Sequence, residues 1–286
     1  LLDFNPDISK VHTVNFKKIK QKKSLYLLFK ELRGLRNFGP YDIVLDMQSL
    51  IKSAIISRLI PSKLTLGFDK SSARESESSI FYNKTFKYGY EKNVIERNFE
   101  LIKFALDLPF KFHELDQMKP FLYLDKKYPT LKLSKIKKNI VLIPGASFLS
   151  KRYSVENFTK LTNLLDANYL IIWGNQEEKT LATRIQKLSP SVNICEKLSI
   201  NSLKSLISQV DLVIGPDTGP THMAWALNVA SITLYGSTPG YRNTYLTKIN
   251  RFIESKSKVN PFKINKNDFS INDISVRDIL KISQEL

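Results

Sequence analysis

Residues 211–227 of the 286-residue chain read Asp-Leu-Val-Ile-Gly-Pro-Asp-Thr-Gly-Pro-Thr-His-Met-Ala-Trp-Ala-Leu, and their pattern indicates the type of fold. Its apolar start predicts a buried strand at 211–214, and the Gly-Pro pair that follows predicts a turn. A helix comes next, and the first N–H groups of a helix have no acceptor within it. The segment therefore predicts an anion site at a strand end. The alternative is an ordinary βα turn in which Asp217 caps the helix and His222 is a satisfied helix residue.

The strand-turn-helix alternation extends on both sides of this stretch, which predicts an α/β fold with parallel sheets. In the second half the predicted strands lie at 139–143, 169–173, 192–195 and 231–235. In the first half the pattern predicts strands at 41–45 and 64–68, and helices at 51–60 and near 95–106. The proline-containing stretch 126–138 is the linker candidate, so we expect one domain at 1–130 and a second at 131–286.

Polar side chains follow several of these strands, where ligands of open α/β sheets bind. Residues 144–153 read Pro-Gly-Ala-Ser-Phe-Leu-Ser-Lys-Arg-Tyr, in which Lys151 could hold a diphosphate. The segment matches neither the P-loop nor the dinucleotide fingerprint, and its basic pair could simply be solvated. Glu177 follows the next strand, where a carboxylate could accept hydrogen bonds from a ribose or merely complement a helix N-terminus. Gln48, Lys52 and Arg74 follow strands of the first half, with surface residues and an Arg–Glu pair as the alternative.

Positive charge is the strongest bulk feature, since 44 Lys and Arg residues against 27 Asp and Glu residues give a net charge of +17. An anionic partner would use this excess: a membrane face, a phosphorylated substrate or nucleic acid. The alternative is a solvated, lysine-rich surface. One cysteine excludes an internal disulfide framework, and three dispersed histidines argue against zinc. No apolar run approaches the roughly 20 residues of a spanning helix.

Taken together, the motifs resemble the bacterial ADP-heptose:lipopolysaccharide heptosyltransferases, most closely those that add the first heptose. The run Asp-Thr-Gly-Pro-Thr-His at 217–222, followed by Ile-Thr-Leu-Tyr-Gly-Ser-Thr at 232–238, is similar to their nucleotide-sugar motif. Asp-Met-Gln at 46–48 and Ala-Arg-Glu at 73–75 resemble their acceptor half.

The resemblance implies a GT-B fold, with two Rossmann-like domains and a cleft between them. It also implies an inverting glycosyl transfer that needs no metal or cofactor, with ADP-heptose as the donor. The residues that match the family's catalytic positions are Lys151, Asp217 and His222. Those that match its donor site are Ala146, Ser147, Lys151, Glu177, Leu198, Asp217, Thr218, Gly219 and His222.

The acceptor implied by the resemblance is a 3-deoxy-manno-octulosonic acid (Kdo) residue of lipid A, at the cytoplasmic face of the inner membrane. An enzyme of this family is expected to be cytoplasmic and to bind that anionic surface peripherally. Basic and polar side chains of the first half then become acceptor-binding candidates: Lys17, Lys18, Lys20, Lys22, Lys23, Gln48, Lys52 and Arg74.

The chain departs from the family at its start. Family members begin with a strand that ends in a Gly-Asp turn, whose aspartate is the expected general base, and none of the ten glycines here precedes an aspartate. We therefore expect the base before residue 1, with the first domain lacking its initial β-α unit. On that expectation this polypeptide binds ADP better than it turns over.

Three alternatives stay open from the sequence. A sister transferase that adds the second heptose would share the donor motifs. A basic nucleic-acid-binding protein would explain the charge, but the basic runs contain neither stacking aromatic residues nor a known reading motif, so we expect no nucleic-acid partner. A non-catalytic binder would hold ADP without turnover.

Overall fold

The computed structural model describes residues 1–14, 21, 24–112, 119–124 and 133–286. It divides into two compact units, one formed by Leu1–Ser9 with Asp116–Leu286 and the other by Lys10–Leu115. The sequence predicts the domain boundary between residues 130 and 131, whereas the smaller unit ends at Leu115. The first residues join the larger unit because Asn5 Nδ2 donates to the Phe121 carbonyl (3.3 Å) and Lys204 Nζ donates to the Leu1 carbonyl (3.4 Å).

The smaller unit contains a parallel sheet in the order β1-β2-β3. Its strands are β1 (Tyr41–Asp46), β2 (Ser62–Phe68) and β3 (Lys84–Phe86), and its helices are α1 (Leu25–Gly34), α2 (Ile51–Leu59) and α3 (Val94–Leu106). Short 3₁₀ turns occupy Leu35–Asn37 and Ser76–Phe81. Leu66 and Phe68 of β2 pack with Leu101 of α3, which fixes this helix on the sheet.

The larger unit contains a parallel sheet in the order β6-β5-β4-β7-β8-β9. The strands are β4 (Asn139–Leu142), β5 (Asn168–Ile171), β6 (Asn193–Ile194), β7 (Leu212–Pro216), β8 (Ala230–Tyr235) and β9 (Asn250–Glu254). The helices are α4 (Val155–Leu164), α5 (Gln176–Leu188), α6 (Ile200–Ile207), α7 (Gly219–Ala226), α8 (Gly240–Asn243) and α9 (Val276–Glu285). Short 3₁₀ turns lie at Leu149–Lys151 and Ser270–Asp273.

Helices cover both faces of this larger sheet. Ile140 and Leu142 of β4 lie in one apolar cluster and Val141 between them lies in the other, as the two-residue repeat of a strand requires. Helices α4, α5 and α9 complete the first cluster, and α6 and α7 complete the second. Burial on both faces explains why these strands read as continuous apolar runs. None of the helices among the described residues is long and apolar enough to cross a lipid bilayer.

Candidate functional site

Three loops of the larger unit meet at one edge of its sheet. Strand β4 pairs in parallel with β5 on one side and β7 on the other, with Leu142 opposite both Ile171 and Ile214. Because parallel strands end at the same edge, the turns after β4, β5 and β7 come together there. The sequence placed its candidate donor residues on these turns, and the strand pairing confirms that the turns are neighbours.

A cavity of about 620 Å³ lies between the three turns. One part of its wall is apolar, formed by Ile143, Ile172, Trp173, Leu198 and Leu203. The other part is polar and contains the start of α7. Of the predicted donor residues, the cavity lining includes Ala146, Ser147, Leu198, Asp217, Thr218, Gly219 and His222.

Helix α7 starts without a side-chain cap. Its N-cap residue, Thr218, makes no capping hydrogen bond, and its hydroxyl contacts Thr221 Oγ1 at 3.2 Å instead. The interpretation in which Asp217 caps this helix is therefore wrong. A Cβ atom added to Gly219 would meet no other atom within 4 Å, so the first turn of the helix opens on free space. Thr218 and Gly219 line the cavity, so the N–H groups that a helix start leaves unpaired lie at its wall.

Asp217 is the centre of a charged cluster beside this helix start. Its Oδ2 accepts a hydrogen bond from Lys151 Nζ (2.9 Å), and its Oδ1 lies 2.9 Å from His222 Nε2. The side chains of Lys151 and Asp217 are only 11% and 12% exposed, whereas that of His222 is 43% exposed. Burial by itself raises the pKa of Asp217, but the hydrogen bond with His222 and the charge of Lys151 outweigh it and hold that pKa well below its ordinary value. Asp217 is therefore a carboxylate at neutral pH.

The structure places Glu177 outside the cavity lining. Its carboxylate forms a two-pronged pair with Arg152, with Nη1–Oε1 at 2.5 Å and Nη2–Oε2 at 3.1 Å. Its neighbour Glu178 lines the cavity instead, where Oε2 accepts from the Gly174 N–H at 2.7 Å. No hydrogen bond to Glu178 Oε1 occurs among the described residues, so this oxygen can accept one from a ligand.

In the smaller unit, Lys52 and Arg74 line one cavity of about 600 Å³. Glu75 joins their two segments, because its Oε2 accepts from the Ile51 N–H at the start of α2 (2.7 Å). Among the described ion pairs, Glu75 makes none with Arg74, so the interpretation of an Arg–Glu pair is not supported. Gln48 is exposed and does not line this cavity.

Buried Asp46 organises the loop between β1 and α2. It is 4% exposed and accepts hydrogen bonds from the Gln48 N–H (2.8 Å), Ser53 Oγ (2.7 Å) and Tyr82 Oη (2.8 Å). The loop also contains Ser49 at φ 53°, a left-handed conformation that a local hydrogen-bond network must hold. Asp46 therefore fixes the position from which Lys52 projects.

Five of the predicted acceptor lysines lie outside the described residues: Lys17, Lys18, Lys20, Lys22 and Lys23. In the part of the chain that is described, no group of three His, Cys, Asp or Glu side chains is placed to hold a metal ion.

Two polar side chains at the site were not predicted from the sequence. One is Glu178, and the other is Asn243 of α8, whose Nδ2 lies 3.4 Å from Asp217 Oδ2. A signal for Asn243 existed, because residues 236–243 follow strand β8 at the same sheet edge. The expectation that strand ends carry ligand groups applies equally to β8.

The chain is similar in sequence to known glycosyltransferases. The profile of glycosyltransferase family 9 (heptosyltransferase) matches residues 28–266. Lipopolysaccharide heptosyltransferase 1 of Campylobacter coli is 35% identical over 301 residues, which span 100% of this chain and 86% of that protein. Lipooligosaccharide heptosyltransferase 2 of Campylobacter jejuni serotype O:6 is 29% identical over 234 residues, which span 76% of this chain and 73% of that protein.

Among solved structures, Escherichia coli heptosyltransferase WaaC with ADP is similar at a TM-score of 0.79 and 20% identity, covering 100% of this chain and 86% of that one. This likeness and the parallel sheets confirm the predicted α/β fold of GT-B type. Since the family profile covers most of the sequence and a relative matches along all of it, the chain belongs to glycosyltransferase family 9, the heptosyltransferases of lipopolysaccharide assembly.

Proposed function

We propose that the chain moves heptose from ADP-heptose to the Kdo residue of lipid A, in a single displacement that inverts the anomeric carbon and uses no metal ion. The observation that carries the proposal is the donor cavity. It joins an apolar wall, suited to a nucleobase, to an uncapped helix start, suited to a diphosphate. Lys151 is not among its lining residues but pairs with Asp217, which is.

The nucleoside part of the donor fits the apolar end. Flat aromatic bases bind between aliphatic and aromatic side chains, and Trp173, Ile172 and Leu198 supply such a wall. We assign the ribose to Glu178, because its free Oε1 can accept a hydrogen bond from a ribose hydroxyl. Glu177, which the sequence favoured for this role, keeps its carboxylate on Arg152.

The diphosphate fits the start of α7. Backbone N–H groups at Gly219 and the helix dipole favour negative charge there by about 0.3–1 kcal/mol, and more where the site is buried. Lys151, whose Nζ pairs with Asp217 beside the helix start, supplies a cation for the same diphosphate. As the bond to the sugar breaks, negative charge grows on the departing ADP, and preorganised groups of this kind typically contribute roughly 10²–10³ in rate each. A lysine and a helix start can neutralise that charge without a metal ion.

The sugar lies next to Asp217 and His222 in this assignment. Asp217 is ionised and can accept hydrogen bonds from heptose hydroxyls, while the half-exposed His222 can orient a hydroxyl or a phosphate oxygen. The attacking acceptor hydroxyl must give up its proton to a general base as the new glycosidic bond forms.

The acceptor saccharide is assigned to Lys52 and Arg74. Kdo carries a carboxylate and lipid A carries phosphates, and both cations line one open cavity. Such an acceptor places the enzyme at the cytoplasmic face of the inner membrane. The stronger match to a first-heptose relative, 35% over the whole chain against 29% over part of it, favours Kdo over a heptosylated acceptor.

Donor identity is tested by thermal stabilisation of the purified protein with ADP-heptose, UDP-glucose or GDP-mannose. The proposal expects a concentration-dependent rise in Tm with ADP-heptose that the other two sugar nucleotides do not reproduce. An equal rise with UDP-glucose would overturn the donor assignment.

Acceptor identity is tested by heptosyl transfer to unheptosylated and to singly heptosylated lipid A acceptors, with the full-length enzyme. Labelling of only the heptosylated acceptor would move the chain to the second-heptose alternative. Lys52→Ala and Arg74→Ala should raise the KM for the acceptor and leave the KM for ADP-heptose unchanged. Arg58→Ala, at the other end of α2 and exposed, is the matched control.

A further inference from the structure

Helix α1 carries two aromatic rings on its outward face. Tyr26 and Phe29 are each 73% exposed. At about 3.6 residues per turn, positions 26 and 29 lie on the same side of the helix. Large apolar side chains on one exposed face mark an interaction surface more often than isolated ones do.

Positive charge accompanies these rings. Lys30 and Arg33 are exposed, and at about 100° per residue they fall within the same arc of roughly 100° as Tyr26 and Phe29. Glu31, the only acidic residue of α1, projects from the other side, roughly 140° from Tyr26. We call the set Tyr26, Phe29, Lys30 and Arg33 the α1 face.

The rings of the α1 face are not needed for packing. The opposite side of the helix packs inward through Leu28 and Leu32, which are half-buried, and continues to Leu35, which is 2% exposed. An ordinary surface helix has polar residues where α1 has Tyr26 and Phe29.

Basic residues flank α1 on both sides in the sequence. Arg36, in the 3₁₀ turn after α1, is exposed. The segment before the helix, residues 17–23, contains five lysines in seven positions of the sequence. The 3₁₀ turn contacts α2, the helix that carries Lys52, so the α1 face lies in the unit to which the acceptor is assigned.

We infer that the α1 face docks on the surface of an anionic lipid bilayer. Aromatic rings are favoured at the level of the lipid headgroups, and Lys30 and Arg33 then meet the lipid phosphates. The inference deepens the proposed function and rests on it, because a lipid-linked acceptor is held in such a surface.

The test is co-sedimentation of the full chain with phosphatidylcholine vesicles, with and without phosphatidylglycerol. Wild-type protein should bind only the anionic vesicles. Tyr26→Ser/Phe29→Ser should lower the partition coefficient at least about tenfold. Lys30→Gln/Arg33→Gln should lower it by about fivefold per cation, an effect that high salt abolishes.

The control variant is Leu164→Ser/Leu188→Ser, which removes two apolar side chains of similar exposure (58% and 56%) from the other unit. It should bind vesicles like the wild type. The inference is overturned if Tyr26→Ser/Phe29→Ser binds anionic vesicles as the wild type does, or if the wild type binds neutral vesicles equally well. Loss of binding that the control pair shares also overturns it.

Heptosyl transfer to a detergent-solubilised acceptor separates this inference from the proposed function. The Tyr26→Ser/Phe29→Ser variant should retain wild-type transfer in detergent and lose vesicle binding. If the wild type binds anionic vesicles through the α1 face but transfers no heptose, the proposed function fails and the docking surface stands. If transfer occurs and vesicle binding is absent, the docking surface fails alone.

Discussion

Helices α5 and α7 start at the same edge of the same sheet and line the same cavity, yet their N-termini differ. At α5, the Asn175 side chain accepts from the Glu178 N–H (3.0 Å), and two acidic residues occupy the first turn. At α7, the described residues provide neither a side-chain cap nor an acidic first turn. A hydrogen bond from the first turn of a helix to its N-cap side chain contributes about 1 kcal/mol to stability. The chain forgoes that contribution at α7, where the described residues leave the first N–H groups without a side-chain cap, and the proposed function assigns an anion to them.

The largest effect should come from removing the cation beside the open helix start. We expect Lys151→Ala to lower kcat/KM for ADP-heptose by roughly 10²–10³, because charge on the leaving diphosphate loses a preorganised partner. Steady-state kinetics on the full-length enzyme measures it. Lys160→Ala, an exposed lysine of α4, should leave kcat/KM unchanged. Wild-type turnover in Lys151→Ala would remove this residue from the phosphate site.

A smaller effect should follow from filling the space in front of α7. Gly219→Ala adds a methyl group that meets no atom within 4 Å outside its chain neighbours and its own helix backbone, so the fold tolerates it but a close-approaching phosphate does not. We expect ADP affinity to fall about tenfold, which corresponds to about 1.4 kcal/mol. Isothermal titration with ADP measures this change.

Gly34→Ala is the matched control for Gly219→Ala. It also adds a methyl group to a helix position with no atom within 4 Å, but in the other unit. Its ADP affinity should equal that of the wild type. If both variants bind ADP like the wild type, the start of α7 does not contact the phosphates.

Removing the N-cap side chain of each helix should affect stability at α5 and ADP binding at α7. Asn175→Ala should cost about 1 kcal/mol of unfolding free energy and lower Tm by about 2–4 °C, because a capping hydrogen bond is lost. Thr218→Ala loses no such bond, so it should lower Tm less but weaken ADP binding more. Calorimetric scans with and without ADP measure both quantities. Equal Tm losses in the two variants would mean that Thr218 acts as a cap after all.

The smallest effect is expected when the pH varies between about 5 and 8, where the contribution of Asp217 to the free energy of unfolding should stay constant. Since the pKa of Asp217 is lower in the folded chain than its ordinary value, its stabilising charge is fully present above an unfolded-state pKa of about 3.9. That contribution is lost only as the pH falls through the folded-state pKa. Stability at neutral pH should therefore differ between wild type and Asp217→Asn by a constant amount.

Urea unfolding at a series of pH values measures this prediction. Below about pH 4, the wild type should lose unfolding free energy more steeply than Asp217→Asn does. Parallel curves for the two proteins through the acid range would show that the pairs with Lys151 and His222 do not depress this pKa.

The sequence pattern was enough to predict the larger sheet, and seven of the nine donor residues named from the sequence line the cavity. Apolar runs at 139–143 and 211–214 predicted β4 and β7 to within two residues at each end, because strands buried on both faces read as continuous apolar stretches. Strand β9 was missed, since an edge strand reading Asn-Arg-Phe-Ile-Glu lacks such a run. Lys151 and Asp217 were both named, and adjacent parallel strands bring them together.

Which of two neighbouring side chains faces the cavity depends on the packing of α5 and could not be predicted from the sequence pattern. Glu177 and Glu178 are indistinguishable by composition, but successive helix residues point about 100° apart, so the Asn175 cap that starts α5 selects Glu178. Asn243 reaches Asp217 across 26 positions through the pairing of β7 with β8. Whether a segment forms a helix or a strand depends on the periodicity of nearby residues, so the sequence pattern predicts it. Contacts between distant segments depend on how the helices and strands pack, which that pattern does not contain.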